Sequence, residues 1–238
     1  MSIAARVDPF GDSAVLVELS GGTKDEVWRA TQLLGRAVDD RPVPGVLNSI
    51  PTYRHVLIEF DCVVTDYPSV RHRVEQLVGE LSRMDGTSMP PVRRFVLPTC
   101  YGGEHGPDLE SLAASLGLSP AALIECHTRA PYRVRCLAGP IGGPMMDGPD
   151  LPAPVPRQRS PRPKVRAGAV LLAGTQGFVK TMDGPGGWQI IGHTPFRLID
   201  IDADPLVPWR PGDEIRFEAI TADEWHDLRG TAVRVSHG

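Results

Sequence analysis

Eight of the chain's 24 prolines lie between Pro140 and Pro163, and this restricts folding more than any other feature of the sequence. Proline has no N–H to contribute to a helix or a sheet ladder. The segment is also poor in large apolar side chains, so it is expected to avoid regular interior structure. A fixed extended loop and a mobile flap both suit that composition. The strands and helices must then lie on either side of it.

Upstream, the first ninety residues alternate. Ala14–Leu19 reads as a strand from its length and β-branched content. Thr23 and Glu26 form a capping-box pattern, and Val27, Ala30, Leu34, Ala37 and Val38 follow at helical spacing. Val46–Ile50 and Val56–Phe60 are short strands. Ser69 is expected to open a second helix with Val70, Val74, Leu77, Val78 and Leu81 on one face. The order β-α-β-β-α, closed by a strand at Val92–Leu97, is that of a ferredoxin-like α/β sandwich. Its open sheet face would suit self-association. Met84–Pro91 is turn-rich and aperiodic, which places a domain boundary there and gives domains of 1–88 and 89–238.

Beyond the boundary, Asp108 is expected to cap a helix through about Leu116, and Ser119-Pro120 to start another through His127. Tyr132–Leu137 reads as a strand. After the prolines, Ala169–Ala173, Gly177–Lys180, Trp188–Ile191, Arg197–Ile201 and Ile215–Ile220 recur as short strands between Gly/Pro turns, the pattern of a β-barrel or sandwich. The fold class is therefore α+β.

Composition narrows the functional classes. The formal net charge of −4 gives no electrostatic reason to expect nucleic acid or an anionic membrane as partner. No apolar run approaches the ~20 residues of a membrane span, and Asp8 and Asp12 come too early for a signal peptide. Cys62, Cys100, Cys126 and Cys136 are scattered, which suits reduced thiols in the cytoplasm. Cys126 and His127 are adjacent, and neighbours on a helix diverge by ~100°, so no metal site is expected.

The sequence contains no P-loop, no G-x-S-x-G, no H-E-x-x-H and no G-x-G-x-x-G after a strand. The candidates are isolated polar residues of the second half, each with a plainer alternative. His127 is either a cation at a helix C-terminus or a site residue paired with Tyr132. Arg157, Arg159, Arg162, Lys164 and Arg166 form either a solvated basic run or, through Arg157 and Arg162, a carboxylate or phosphate grip. Gln176 is a turn residue or an amide reader, and Asp213 is most simply a turn residue. In Gly184–Pro195, Gly186 and Gly187 flank Trp188 and His193 follows Gly192. Glycines beside a large aromatic signal a sharp turn or a close approach. The tryptophan belongs to the core or walls a ligand.

Several longer stretches carry a family resemblance: GDSAVLVEL at Gly11–Leu19, YRHVLIEFD at Tyr53–Asp61, CYGGEHGPDL at Cys100–Leu109, GLSPAALIECHTRAPYRV at Gly117–Val134, PRQRSPRPKVRAG at Pro156–Gly168, GPGGWQIIGHTP at Gly184–Pro195 and PGDEIRF at Pro211–Phe217. In these the chain resembles the family that includes the B component of bacterial 5-oxoprolinase, allophanate hydrolase subunit 1 and KipI. The resemblance implies a small α+β domain followed by a cyclophilin-like β-barrel. It also implies a non-autonomous enzyme component, working with a C-type homologous subunit (allophanate hydrolase subunit 2-like) and a LamB/YcsF-type subunit. Such an assembly cleaves 5-oxoproline to glutamate with ATP, which enters through the complex.

The resemblance admits two other roles, the carboxyltransferase component of a biotin-dependent urea or allophanate pathway enzyme and a KipI-like histidine-kinase inhibitor. Under the leading reading His127, Tyr132, Gln176 and His193 would be catalytic, and Arg157, Arg162, Gly186, Gly187 and Trp188 would bind substrate. The chain departs from the family at Ile141–Asp147 and Gln176–Thr181, where methionines and a lysine replace aromatics, and at His193, where an arginine is usual.

Overall fold

A computed structural model describes residues 3–41, 43–81 and 89–235. The chain separates into two compact units, Met1–Pro91 and Val92–Gly238. The expected break at Met84–Pro91 lies mostly outside the described residues.

The first unit contains β1 (Ala4–Pro9), β2 (Ala14–Ser20), α1 (Lys24–Asp40), β3 (Val46–Pro51), β4 (His55–Phe60) and α2 (Tyr67–Leu81). The capping box forms as the sequence predicts. Glu26 N donates to Thr23 Oγ1 at 3.3 Å and Thr23 N donates to Glu26 Oε2 at 2.8 Å. Helix α2 starts two residues before Ser69, because Asp66 rather than Ser69 takes the capping role and its carboxylate accepts from Ser69 N at 2.9 Å. Alternate residues Val15, Val17, Leu19, Val56, Ile58 and Phe60 share one core with the apolar faces of both helices.

The sheet order is β1-β2-β4-β3, antiparallel throughout. The strand expected to close this sheet, Val92–Leu97, instead enters the second unit, and β1 takes the edge beside β2. Sequence periodicity overlooks β1 because only Val7 among its residues is buried. Its terminal Pro9 is acceptable on an edge strand.

The second unit is built on a closed seven-stranded barrel. Its elements are β5 (Arg94–Tyr101), α3 (Leu109–Ser115), α4 (Pro120–Thr128), β6 (Tyr132–Ala138), β7 (Gly143–Asp147), β8 (Arg162–Val165), β9 (Ala169–Ala173), β10 (Gln176–Val179), β11 (Gly184–Gly186), β12 (Gln189–His193), β13 (Glu214–Ile220) and α5 (Ala222–Leu228). Around the barrel the order is β10-β7-β6-β13-β5-β12-β9, and only β13 and β5 run parallel. Phe95, Leu97, Val134, Met146, Val170, Leu172, Val179, Ile191, Ile215 and Phe217 fill its core, which Leu109, Leu112 and Leu123 of the two short helices extend.

Strand β9 is buried on both faces. Val170 and Leu172 point into the barrel, while Ala169 and Leu171 join Val165 and Ile190 in a smaller cluster outside it. The antiparallel ribbon β8–β11 contributes Val165 to that outer cluster.

Three expectations need correction. The proline-rich segment does contain regular structure, since β7 lies inside the barrel sheet and β8 forms the ribbon. Pro144 is tolerated because it falls one residue beyond the last pair with β10, Met145↔Phe178, while still aligned with Leu137 of β6. Conversely, Arg197–Ile201 is not a strand; only Arg197 forms a bridge, to Ala232. Asp213 is more than a turn residue. It is 1% exposed and accepts from Arg93 Nη2 at 2.6 Å and from Arg210 N at 2.9 Å.

Candidate functional site

The segment from Gly102 to Asp108 organises one side of the barrel. Strand β12 pairs with β5 only at Gly192↔Tyr101 and His193↔Cys100. Beyond that point the segment takes over the edge of β12. Gly102 N donates to Ile191 O at 3.2 Å and Asp108 N donates to Ile190 O at 3.0 Å. Gly106 is required here, since a Cβ would lie 2.0 Å from Ile191 O.

Asp108 occupies the N-cap position of α3, as expected, but its side chain makes no cap hydrogen bond. The buried carboxylate accepts instead from Ile190 N at 2.7 Å and from Arg162 Nη2 at 2.6 Å. Arg162, a candidate for substrate binding, is therefore engaged within the protein. Its charge fastens the proline-rich segment to the barrel wall, and the ion pair is charge-assisted.

Further ties make that segment a fixed strap. Gln158 N donates to Gly187 O at 2.8 Å, and Gln158 Nε2 donates to Gln189 Oε1 at 2.7 Å. Gln189 Nε2 in turn donates to Pro156 O at 2.7 Å. Sequence reasoning missed Gln158, Gln189 and Asp108 as a set. The partners of their side chains are 31 to 82 positions away, and no local pattern announces such pairings.

The strap holds Arg157 with its guanidinium 5.9 Å from the centroid of the Trp188 ring, within cation–π range. Phe178 meets the same tryptophan edge-on, at 6.0 Å between centroids. Gln176 lies two residues before Phe178 on β10 and so shares its face. Gly186 aligns with Arg162 in the ribbon, and Gly187 follows it. The result is a half-buried patch on the outside of the barrel with an aromatic wall, one cation and one carboxamide. It can grip a planar carboxylate and read an amide.

Gly187 is not forced by close approach, since the nearest atom to a Cβ there is 3.7 Å away, whereas a Cβ on Gly186 would press on Val165 Cγ2 at 3.1 Å. The close approach falls at Gly192, where a Cβ would come 2.9 Å from Cys100 O.

The other three nominated residues lie elsewhere. His127 and Tyr132 belong to the interior of the second unit. His127 Nδ1 is 2.7 Å from Tyr101 Oη, its ring lies 4.4 Å from that of Phe217, and Tyr132 Oη donates to its carbonyl at 2.8 Å. Burial pushes the His127 imidazole down to about 3, so it is neutral near pH 7 and is not a helix-terminal cation. Burial likewise raises the Tyr101 and Tyr132 phenols. His127 and Tyr132 are buried in this trio, and Tyr101 is partly exposed at its edge.

His193 stands at the opposite end of β9 from Gln176. It aligns with Ala169, whereas Gln176 aligns with Ala173. Four residues of strand put about 13 Å between those levels, so the two do not share one site.

A family model described as "Carboxyltransferase domain, subdomain C and D" matches residues 5–209. The B component of 5-oxoprolinase from Bacillus subtilis (strain 168) is 31% identical over 237 residues, 95% of this chain and 97% of that protein. The crystal structure of TTHA0988 is 28% identical with a TM-score of 0.72, covering 88% of this chain and 40% of that longer one. Urea carboxylase of Kluyveromyces lactis has a TM-score of 0.80 over 98% of this chain and 24% of its own, at 16% identity, a likeness of fold alone.

Proposed function

The chain belongs to the carboxyltransferase-domain family, subdomains C and D, and on that footing we propose that it is the B-type component of an ATP-dependent 5-oxoprolinase-like hydrolase. The supporting observation is likeness across nearly the full length of a relative that bears this component's name. In this reading the barrel is cyclophilin-like. The N-terminal unit is a rearranged ferredoxin-like sandwich in which β1 replaces the usual closing strand. The protein is cytoplasmic; among the described residues, no single helix is long and apolar enough to cross a membrane.

The outer patch supplies this chain's share of the substrate site. Arg157, braced on Trp188, holds the carboxylate of 5-oxoproline. Gln176 hydrogen-bonds the lactam, and Trp188 with Phe178 covers the ring's apolar face. Arg162 and Asp108 act one step back by fixing the strap that carries Arg157. ATP and the residues that activate the lactam carbonyl come through the assembled complex, with a C-type homologous subunit and a LamB/YcsF-type subunit. His193 lies outside this patch.

The test is reconstitution. Co-expression with both partner subunits should yield ATP-dependent glutamate release from 5-oxoproline. Arg157→Ala and Trp188→Ala should each lower kcat/KM by about tenfold or more while the complex still assembles. Assembly without any turnover of 5-oxoproline would reject the reading. Carboxyl transfer from biotin by the complex would establish instead the carboxyltransferase role suggested by the family description. Inhibition of a histidine kinase by the isolated chain, with no turnover by the complex, would assign the regulatory role.

A further inference from the structure

At the Ala169 end of β9, away from the patch, His105, His193 and Trp225 pack against one another on the outside of the barrel. The His105 ring centroid is 4.7 Å from that of Trp225, that of His193 is 5.5 Å from it, and the two imidazoles are 6.2 Å apart. Both nitrogens of each imidazole and the indole Nε1 are buried without a hydrogen-bond partner among the described residues. The carbonyls of Thr194 and Ala167 lie beside His193 and favour its proton, but neither is placed to bond a ring nitrogen.

A buried polar group left unbonded destabilises the state that buries it. Here five such atoms share one contact. The element that closes this contact is α5, a seven-residue helix whose only buried residue is Trp225. The helix keeps its own capping box, Thr221 with Glu224, and packs chiefly against β5. The chain is tied on either side of α5, by β13 before it and by Gly230 N donating to Pro195 O after it, but within the helix one side chain is buried, and it rests on unsatisfied polar groups.

We infer that α5 is a lid, closed by Trp225 over His105 and His193 and released when those histidines take up protons. The groups facing the pair come from several elements. Cys100 of β5 is cross-strand from His193. Glu104 extends into solvent with Oε1 3.9 Å from His105 Nε2. Arg166 precedes β9 and opposes protonation of both imidazoles, and His226 of α5 opposes that of His105. Arg229, just past α5, has its guanidinium 5.8 Å from the Trp225 ring centroid.

With the lid closed, burial first and Arg166 second hold His193 down to about 4; burial is also the main cause of the lowering at His105, where Glu104 partly counters it. With the lid open, both return toward the ordinary value of about 6.5. A base with its pKa depressed in the closed state favours closure above about 6.5, and that preference is lost as the pH falls toward 4. Between pH 7 and pH 5, His193 alone then raises the opening equilibrium by about twentyfold. The open state presents two imidazoles side by side to solvent.

Hydrogen exchange on the full chain tests this, with rates corrected for the intrinsic pH dependence of exchange. The Thr221–Leu228 amides should exchange at least about tenfold faster at pH 5 than at pH 7, while β5 and β9 keep their protection. In His105→Phe the Thr221–Leu228 response should shrink, and in His105→Phe/His193→Leu it should vanish. The inference is overturned if wild-type α5 exchange is independent of pH, or if α5 loses protection only together with the barrel strands. A response that persists in a folded double variant also overturns it. Should the double variant not fold, the wild-type comparison of α5 with β5 and β9 still decides.

Discussion

The two units bury different chemistry. The described core of the first is aliphatic around Val15, Val17, Leu34, Val56, Ile58 and Leu77, with Thr31 and Gln32 as its buried polar residues and no buried ionisable carboxylate or imidazole. The second buries Asp108, Asp213, His105 and His127 beside a core just as apolar. In the first, the stability of the core comes from excluding water, and the lowered carboxyls of Glu26 and Asp66 sit at exposed helix starts outside it. In the second it also depends on which groups carry protons and on whether charges find partners. The unit that carries the candidate site is the one whose described interior depends on ionisation.

Removing a buried charge should separate the units most. Asp213→Ala strips the carboxylate from Arg93 and orphans the amides of Arg93 and Arg210. The expected loss is about 4 kcal/mol, confined to the barrel. Urea unfolding followed by unit-resolved hydrogen exchange should show the barrel transition moving and the N-terminal one staying; equal movement of both would break the contrast. The apolar counterpart is Leu34→Ala. Its side chain is fully buried, so about 3 kcal/mol should vanish from the first unit alone, equally at pH 7 and pH 5.

Acid should discriminate next. His127 is held neutral at about 3 in the folded barrel but titrates near 6.5 once unfolded. Its folded value is depressed, so its contribution is complete above about 6.5 and declines as the pH drops toward 3. Between pH 6.5 and pH 5 the barrel should lose on the order of 2 kcal/mol from this group. His127→Phe should flatten that slope, and an unchanged slope would remove His127 as its cause. The smallest effect expected is at Thr23. Losing the capping box in Thr23→Ala should cost the first unit about 1 kcal/mol by urea midpoint, with no change in the barrel.

The same contrast explains what the sequence revealed. Elements specified by local pattern were legible: the Thr23 cap, the amphipathic faces of α1 and α2, Pro120 at the start of α4, the β-branched content of β2, and the short apolar strands β9 and β13 between their turns. Elements specified by distant partners were not. Strand β1 shows one buried residue and is completed by β2, and β7 contains a proline excused only by where β10 stops pairing. Asp108 looked like a cap because Leu109–Ser115 follows it, and nothing nearby foretells Arg162 or Ile190.

The candidate site divided in the same way. Arg157, Gln176, Gly186, Gly187 and Trp188 assemble at one end of β9. His127 and Tyr132 are polar residues near a helix end, yet their partners lie in the interior. His193 is close to Trp188 in sequence, but the extended strand carries it to the far end. His105, its companion in space, lies in the Cys100–Leu109 stretch with no local pattern that singles it out.

The position of β1 also bears on how the polypeptide emerges from the ribosome. Since the first sheet takes its edge strand from Ala4–Pro9, ahead of its other strands, every described strand of that unit has been synthesised by Phe60. The barrel has no such autonomy, because Arg94 on its first strand aligns with Glu214 on its last. Those residues are 120 positions apart, and at translation rates of 5–20 residues per second the first must wait roughly ten seconds for the second. During that interval β5 lacks the parallel neighbour it has in the finished barrel, which makes this stage of synthesis the one most in need of a chaperone or an already folded partner chain.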